Sequence, residues 1–255
     1  MSAPPKGKLY LVPAPLDFGC DVQAPLQNVI PLGTLQIAAA LPCWICENAK
    51  STRAYLKRVG EVQPLLQPVQ ALQITELPRE VHKKGDHGGG FDAKPLLKAA
   101  LEGHNIGLVS EAGMPAIADP GSSVVRAAHE LGIQVLPLTG PMSLMLALAA
   151  SGLNGQNFAF VGYLPQDGGE RNQRIRELES LALKTGQTQI FIETPYRNSA
   201  LLQALLQTLQ ANTRLALSCG LSLPTGWSHS AGVSAWKRDK PAAPLALPTV
   251  FCIGR

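Results

Sequence analysis

The chain has 255 residues and a formal net charge of +4. That length accommodates one large or two small domains with a sizeable core, and the charge permits an anionic partner without implying one. No apolar run reaches the length of a membrane span and no signal peptide is expected from the opening MSAPPKGKLYLV; five scattered cysteines (Cys20, Cys43, Cys46, Cys219 and Cys252) argue for a reducing, cytoplasmic setting over a disulfide framework.

Residues 8–12 (KLYLV) are predicted as a strand ending at Pro13, residues 34–40 as a helix and residues 43–46 as a short strand. Cys43 and Cys46 have the CxxC spacing, but no second pair accompanies them. Three apart on a strand they face opposite sides, so plain buried thiols are expected. Residues 51–59 read as a helix with Ser51 or Thr52 as its cap, and residues 71–75 as a weaker strand. Residues 92–101 read as a helix, with Asp92 at the cap and Pro95 in the first turn, followed by a strand at 105–109. After a Gly/Pro loop comes a helix at 122–131, with Val124, Val125, Ala128 and Leu131 on one stripe. The alternation continues with strands at 134–138, 158–161, 189–192 and 214–218 and helices at 141–151, 169–183 and 195–209. Residues 227–236 and 249–253 read as two last strands around a Pro- and Lys-rich loop.

Strands alternating with helices predict an α/β fold: two α/β domains with mainly parallel sheets, the second becoming mixed, and a ligand cleft between them. The Pro/Gly loop at 118–121 is the expected boundary, giving domains 1–118 and 119–255. Five strand-end loops share a small, Pro-rich character: 12–15, 110–121, 137–143, 161–165 and 192–197. Loops at the carboxyl ends of one parallel sheet lie on one side, where open α/β sheets bind ligands. Neither GxxxxGK[ST] nor GxGxxG is present, so no pyrophosphate cradle is read. An adenosyl ligand without pyrophosphate needs neither motif, only backbone groups and an apolar slot.

The blocks LVSEAGMPAIADPG, PLTGPMSLMLALAASGL, FVGYLP and FIETPYR, in this order, resemble the tetrapyrrole methylase superfamily of S-adenosylmethionine-dependent methyltransferases. They are most similar to its branch that methylates a cytidine ribose 2′-hydroxyl in small-subunit ribosomal RNA. KLYLVPAPL and ENAKSTR fit that branch more loosely. The resemblance implies S-adenosyl-L-methionine as cofactor and a homodimer acting on ribosomal RNA or the small ribosomal subunit. It implies that Pro15, Ala112, Gly113, Met114 and Ile117 line the cofactor from the N-terminal domain, and Ser143, Leu144, Glu193 and Thr194 from the C-terminal one. Two alternatives stand beside it: carbon methylation of a tetrapyrrole, and a non-catalytic S-adenosylmethionine-binding protein. The chain departs from the branch at Leu16-Asp17-Phe18-Gly19, at Glu111 and Met114, at Asn48-Ala49-Lys50 and across 221–238. These changes touch the acceptor side more than the cofactor side.

A ribose hydroxyl needs a proton acceptor. The candidates are Glu47, Glu111 and Asp119. Glu47 ends a strand at the branch's acidic position and is favoured. Asp119 reads first as a cap for the following helix, and Glu111 as a loop carboxylate bonding backbone N–H groups. No metal site is expected, since His82 and His87 match no ligand spacing. The 82–90 segment reads as a mobile loop over the cleft, with Arg79, Lys83 and Lys84 toward phosphates. Arg171, Arg174 and Arg176 share a helix with Glu170, Glu177 and Glu179, the composition of a solvated face. Tyr163, Tyr196 and Trp227 are open to two readings, stacking on a base or packing in the core.

Overall fold

Alternation of apolar side chains across short strands builds both sheets. In a computed structural model, described for residues 5–84, 86 and 88–255, the chain divides into two compact units, the first ending at Pro141 and the second running from Met142 to Arg255, with Cys20–Val22 counted in the second. The first unit contains β1 (Leu9–Leu11), α1 (Leu26–Val29), α2 (Leu32–Ala39), β2 (Cys43–Cys46), α3 (Ala49–Val62), β3 (Gln73–Glu76), α4 (Arg79–Lys84), α5 (Lys98–Leu101), β4 (Ile106–Val109), α6 (Ser122–Glu130) and β5 (Val135–Pro137). Its sheet has the order β3-β2-β4-β1-β5, and every pairing is parallel.

Successive residues of β2 feed opposite faces. Trp44 and Cys46 join Val12, Val109 and the α2–α3 side chains Leu35, Leu56 and Val59. Cys43 and Ile45 join Leu9, Ile106, Leu108 and Val124 on the other face. The CxxC pair is therefore two buried thiols on opposite sides of one strand, and burial raises the pKa of each. Gly107 sits opposite Trp44 in the register, and a Cβ there would come within 2.7 Å of the indole.

The second unit contains α7 (Ser143–Ser151), β6 (Phe158–Tyr163), α8 (Gly168–Thr185), β7 (Thr188–Glu193), α9 (Asn198–Thr208), β8 (Arg214–Cys219), β9 (Trp227–Gly232), α10 (Val233–Asp239) and β10 (Thr249–Gly254). The sheet order is β6-β7-β10-β8-β9, with β6 and β7 parallel and the other three pairings antiparallel. Phe191, Leu217 and Phe251 face α8 and α9, whereas Ile190, Ala216 and Cys252 face Leu144 and Leu148 of α7.

Four expectations are corrected. The boundary moves from 118–121 to Pro141, because β5 pairs with β1 (Leu9 opposite Val135) and so ties residues 122–141 to the first sheet. A Pro/Gly loop inside a βα unit has the composition of a linker, which is why sequence misplaced it. Helix α3 is capped by Asn48, whose side chain accepts from Lys50 N (2.9 Å) and Ser51 N (3.1 Å). The expected caps Ser51 and Thr52 are already helical and donate back to Asn48 O. Residues 94–97 form a 3-10 turn before the short α5, with Asp92 accepting from Lys94 N. The stretch 227–236 is a strand only to Gly232; it then coils into α10, which buries Val233 and Trp236, and Trp236 Nε1 donates to Leu215 O (2.8 Å).

One ion pair anchors the loop after β1. Asp17, 3 % exposed at its side chain, accepts from both terminal nitrogens of Arg58 on α3 (3.0 and 2.9 Å) and from Ala24 N. Arg58 also donates to Ala24 O. Removing the guanidinium strands a buried carboxylate. Arg58→Ala should lower unfolding free energy by about 2–4 kcal/mol in urea titration at pH 7. Arg58→Lys, which cannot make the fork, should recover only part of it.

Candidate active site at the carboxyl edge of the first sheet

From β1 the chain crosses to β2 on one side of the sheet; from β4 it crosses to β5 on the other. β1 and β4 are neighbours, so the crevice beyond their carboxyl ends is the topological switch point, the usual ligand site of such sheets. The two loops there are joined by main chain: Ala14 N donates to Gly113 O (2.9 Å) and Gly113 N to Ala14 O (3.0 Å). Pro15, buried, follows directly, and Tyr55 Oη donates to Pro13 O. The loop after β5 closes against the same segment, since a Cβ on Gly140 would run into the Pro13 ring, and Thr34 Oγ1 donates to Thr139 O.

The 110–121 loop holds an unusual backbone. Gly113 (φ 69°) and Gly121 (φ 135°) occupy positive φ, and so do Ala116 (φ 64°) and Ala118 (φ 66°). For alanine the left-handed region costs on the order of 1 kcal/mol each. Of the expected cofactor residues, the structure places Pro15, Ala112, Gly113, Met114 and Ile117 together on these two joined loops, with Gly113 buried and Ile117 41 % exposed. Ser110 Oγ, buried where β4 ends, has no hydrogen-bond partner among the described residues.

Three carboxylates gather at this edge. Glu47, beyond β2, accepts from Glu111 N (3.1 Å), and Glu111 in turn accepts from Ser51 Oγ (3.1 Å). Asp119 lies close enough to feel both charges. Its pKa is pushed up to about 7, first by burial and then by Glu47 and Glu111.

Asp119 is not the helix cap that sequence suggested. Asp86 takes that place across 35 residues of chain. Its carboxylate accepts from Gly121 N (2.9 Å), Ser123 N (2.8 Å) and both serine hydroxyls, Ser122 and Ser123, while Arg126 donates to its carbonyl. Burial pushes the Asp86 pKa up, but these four hydrogen bonds outweigh it and hold the group below the ordinary aspartate value. The residue sits in the Gly-rich 82–90 segment read as a cover for the cleft. Asp86 itself is bonded to the start of α6; Gly85, His87 and the side chains of His82, Lys83 and Lys84, on which that reading also falls, lie outside the described residues. Sequence offered no signal for a cap so remote.

In the second unit the structure brings Glu193 and Thr194 to the end of β7 and Ser143 and Leu144 to the start of α7. Leu144 is a core residue, so only its main chain is available to a ligand. The start of α7 has no side-chain cap. Glu193 is buried and engaged: one oxygen accepts from Thr194 N (2.7 Å), Thr194 Oγ1 and Arg197 Nε (2.9 Å). Trp227 packs against Trp236 and the core, whereas Tyr163 and Tyr196 are 57 % and 79 % exposed. Arg174 pairs with Glu177 on the exposed face of α8.

The sheets and their connections define an α/β protein of two units, with two strand-end loops joined at the switch point of the first sheet. The family model for Tetrapyrrole (Corrin/Porphyrin) Methylases matches residues 42–225, and the chain belongs to that family. Curated relatives include proteins named ribosomal RNA small subunit methyltransferase I. The one from Mesorhizobium japonicum is 32% identical over 210 residues, covering 82% of this chain and 62% of its own length. The one from Escherichia coli O157:H7 is 28% identical over 92% of this chain and 73% of its own length. The one from Bacillus subtilis is 36% identical over 80% and 60%. The chain thus spans less than two thirds of the Mesorhizobium relative. Among solved structures, the uroporphyrin-III-C-methyltransferase of Thermus thermophilus matches with a TM-score of 0.53 at 18% identity, over 98% of this chain and 94% of that one. The methyltransferase CobJ matches with 0.56 at 16%, over the same shares. Both likenesses bear on the fold. No helix among the described residues is long and apolar enough to cross a membrane.

The two aspartates give opposite pH signatures. Asp86→Ala should cost about 1–2 kcal/mol at pH 7, from the lost cap and the lost charge at the helix start. A lowered pKa stabilises the fold above the unfolded value and ceases to as pH falls through the folded one, so this loss should vanish in acid. Asp119 is raised, so the native state holds its proton more tightly and stability falls as pH climbs from about 4 to about 7. Asp119→Asn should therefore stabilise by roughly 1–3 kcal/mol at pH 8 and far less at pH 4. Urea titrations across pH check both.

Proposed function

We propose that the chain is an S-adenosylmethionine-dependent methyltransferase that methylates a ribose hydroxyl in small-subunit ribosomal RNA. The observation that carries the reading is the 110–121 loop: four positive-φ residues, joined to the first loop through Ala14 and Gly113, in a chain whose relatives are named small subunit rRNA methyltransferases. The residues fit the cofactor. Gly113 leaves open a space that a Cβ would fill, 3.3 Å from Leu16. Ser110 offers a buried hydroxyl without a protein partner among the described residues. The three carboxylates suit a ligand that carries positive charge on sulfur and nitrogen. Pro15, Ala112, Gly113, Met114, Ile117, Ser143, Leu144, Glu193 and Thr194 are the cofactor residues that belong to this proposal. When bound, S-adenosylmethionine supplies an activated methyl group.

The chain's own contribution is position and a proton acceptor. Rigid main-chain loops fix the reacting partners, which supplies much of the acceleration in a displacement. Glu47 was the favoured base, but its carboxylate already accepts from Glu111 N. We assign the proton to Asp119, which has no hydrogen bond among the described residues and whose pKa of about 7 suits proton transfer near neutrality. The homodimer and the cytoplasmic setting belong to the same proposal.

The test is calorimetry with S-adenosylmethionine, then transfer of labelled methyl to small ribosomal subunits. Binding is expected, Gly113→Val should weaken it, and label should enter RNA. Asp119→Asn should lower kcat by roughly 10²–10⁴-fold and abolish the acid limb of the pH profile near 7. Absence of binding overturns the proposal. Label entering a precorrin instead of RNA would make it a tetrapyrrole methylase, and tight binding without transfer a binding protein.

A further inference from the structure

Two tyrosines of the second unit have no place in its core. Tyr163 closes β6 and is 57 % exposed; Tyr196, just beyond β7, is 79 % exposed. β6 and β7 are parallel neighbours, so their carboxyl ends adjoin, and Tyr163 stands opposite Ile192 in the register. That placement depends on a bulge: Phe160 pairs with Ile190, yet three residues later Tyr163 pairs with Ile192, two later. The extra residue is taken up beside Gly162, which sits at φ 73°. A bulge of this kind re-aims a side chain at a strand end.

Beside Tyr196 a guanidinium is fixed in place. Arg197 lies 5.1 Å over the Tyr196 ring centroid. Its Nε donates to buried Glu193 (2.9 Å) and its Nη2 is ion-paired with the same oxygen (2.8 Å), and it also feels Tyr163. A cation held by a buried carboxylate and laid on an aromatic face loses little freedom when a ligand arrives. Charge is distributed to match. The unit that bears the tyrosines, residues 142–255 with Cys20–Val22, holds ten Lys and Arg against seven Asp and Glu, so three of the four surplus positive charges lie in it.

We infer that Tyr163, Tyr196 and Arg197 form the platform on which single-stranded RNA docks, with bases stacking on the phenol rings and the guanidinium plane. The inference rests on the methyltransferase reading and adds to it where the RNA is held. Aromatic faces beside a cation suit unpaired bases of any sequence, and the surplus positive charge suits the phosphates. Exposed rings serve stacking, so the hydroxyls are dispensable.

The experiment measures binding of a fluorescent single-stranded RNA of roughly twelve nucleotides by anisotropy, alongside S-adenosylmethionine by calorimetry and the melting temperature. Tyr163→Ala/Tyr196→Ala should weaken RNA binding more than about tenfold, leaving melting and cofactor affinity unchanged. Tyr163→Phe/Tyr196→Phe should bind like the parent. Phe158→Ala, at the opposite end of β6, should do the same. RNA affinity unchanged in the double alanine variant overturns the platform while leaving methyl transfer standing. So does a parallel loss of cofactor affinity, which would assign the tyrosines to the cofactor. A parent chain that fails to bind RNA overturns the platform too, and failure of that parent chain to label small subunits marks the methyltransferase reading as the one at fault.

Discussion

Two main-chain hydrogen bonds between Ala14 and Gly113 are the constraint on which the candidate site depends. They clasp the first strand's loop to the fourth strand's loop where the crossovers diverge. Sheet order makes this clasp possible, because β1 lies between β4 and β5. Glycine makes it tolerable, because Gly113 sits at positive φ with Leu16 close by. The strain at Ala116 and Ala118 is stored against this fixed frame, and strained backbone of this kind clusters where a protein binds or reacts.

Electrostatics separates two aspartates that look alike in sequence. Asp86 is surrounded by donors: two serine hydroxyls, two backbone N–H groups and the positive end of a helix. Asp119 is surrounded by acids. The first is held as an anion and does structural work; the second retains a proton near neutrality. Because a distant residue supplies the cap of α6, the carboxylate beside that helix is not engaged as its cap.

The second unit applies the same devices differently. Its strand-end carboxylate, Glu193, is consumed locally, bonding Thr194 and Arg197. What it presents outward is aromatic and cationic. The first unit gathers three carboxylates at one sheet edge; the second, which carries most of the surplus charge, exposes Tyr163 and Tyr196.

The sequence by itself determined the alternation of strands and helices, the mixed character of the second sheet and the family, because hydrophobic period, proline and glycine punctuation and contiguous motif blocks are local quantities. The two strand-end loops, one with Pro15 and the other with Gly113 and Met114, were legible as loops for the same reason. Tertiary structure decided which strands are neighbours, and so moved the boundary to Pro141 when β5 paired with β1. It also decided that Asp86 and not Asp119 caps α6, that residues 233–239 coil to bury Trp236, and that Trp227 is core while Tyr163 and Tyr196 are surface. Each of these turns on partners tens of residues away in sequence. Local propensity carries no information about such partners, because they are set by which faces the folded sheets leave open.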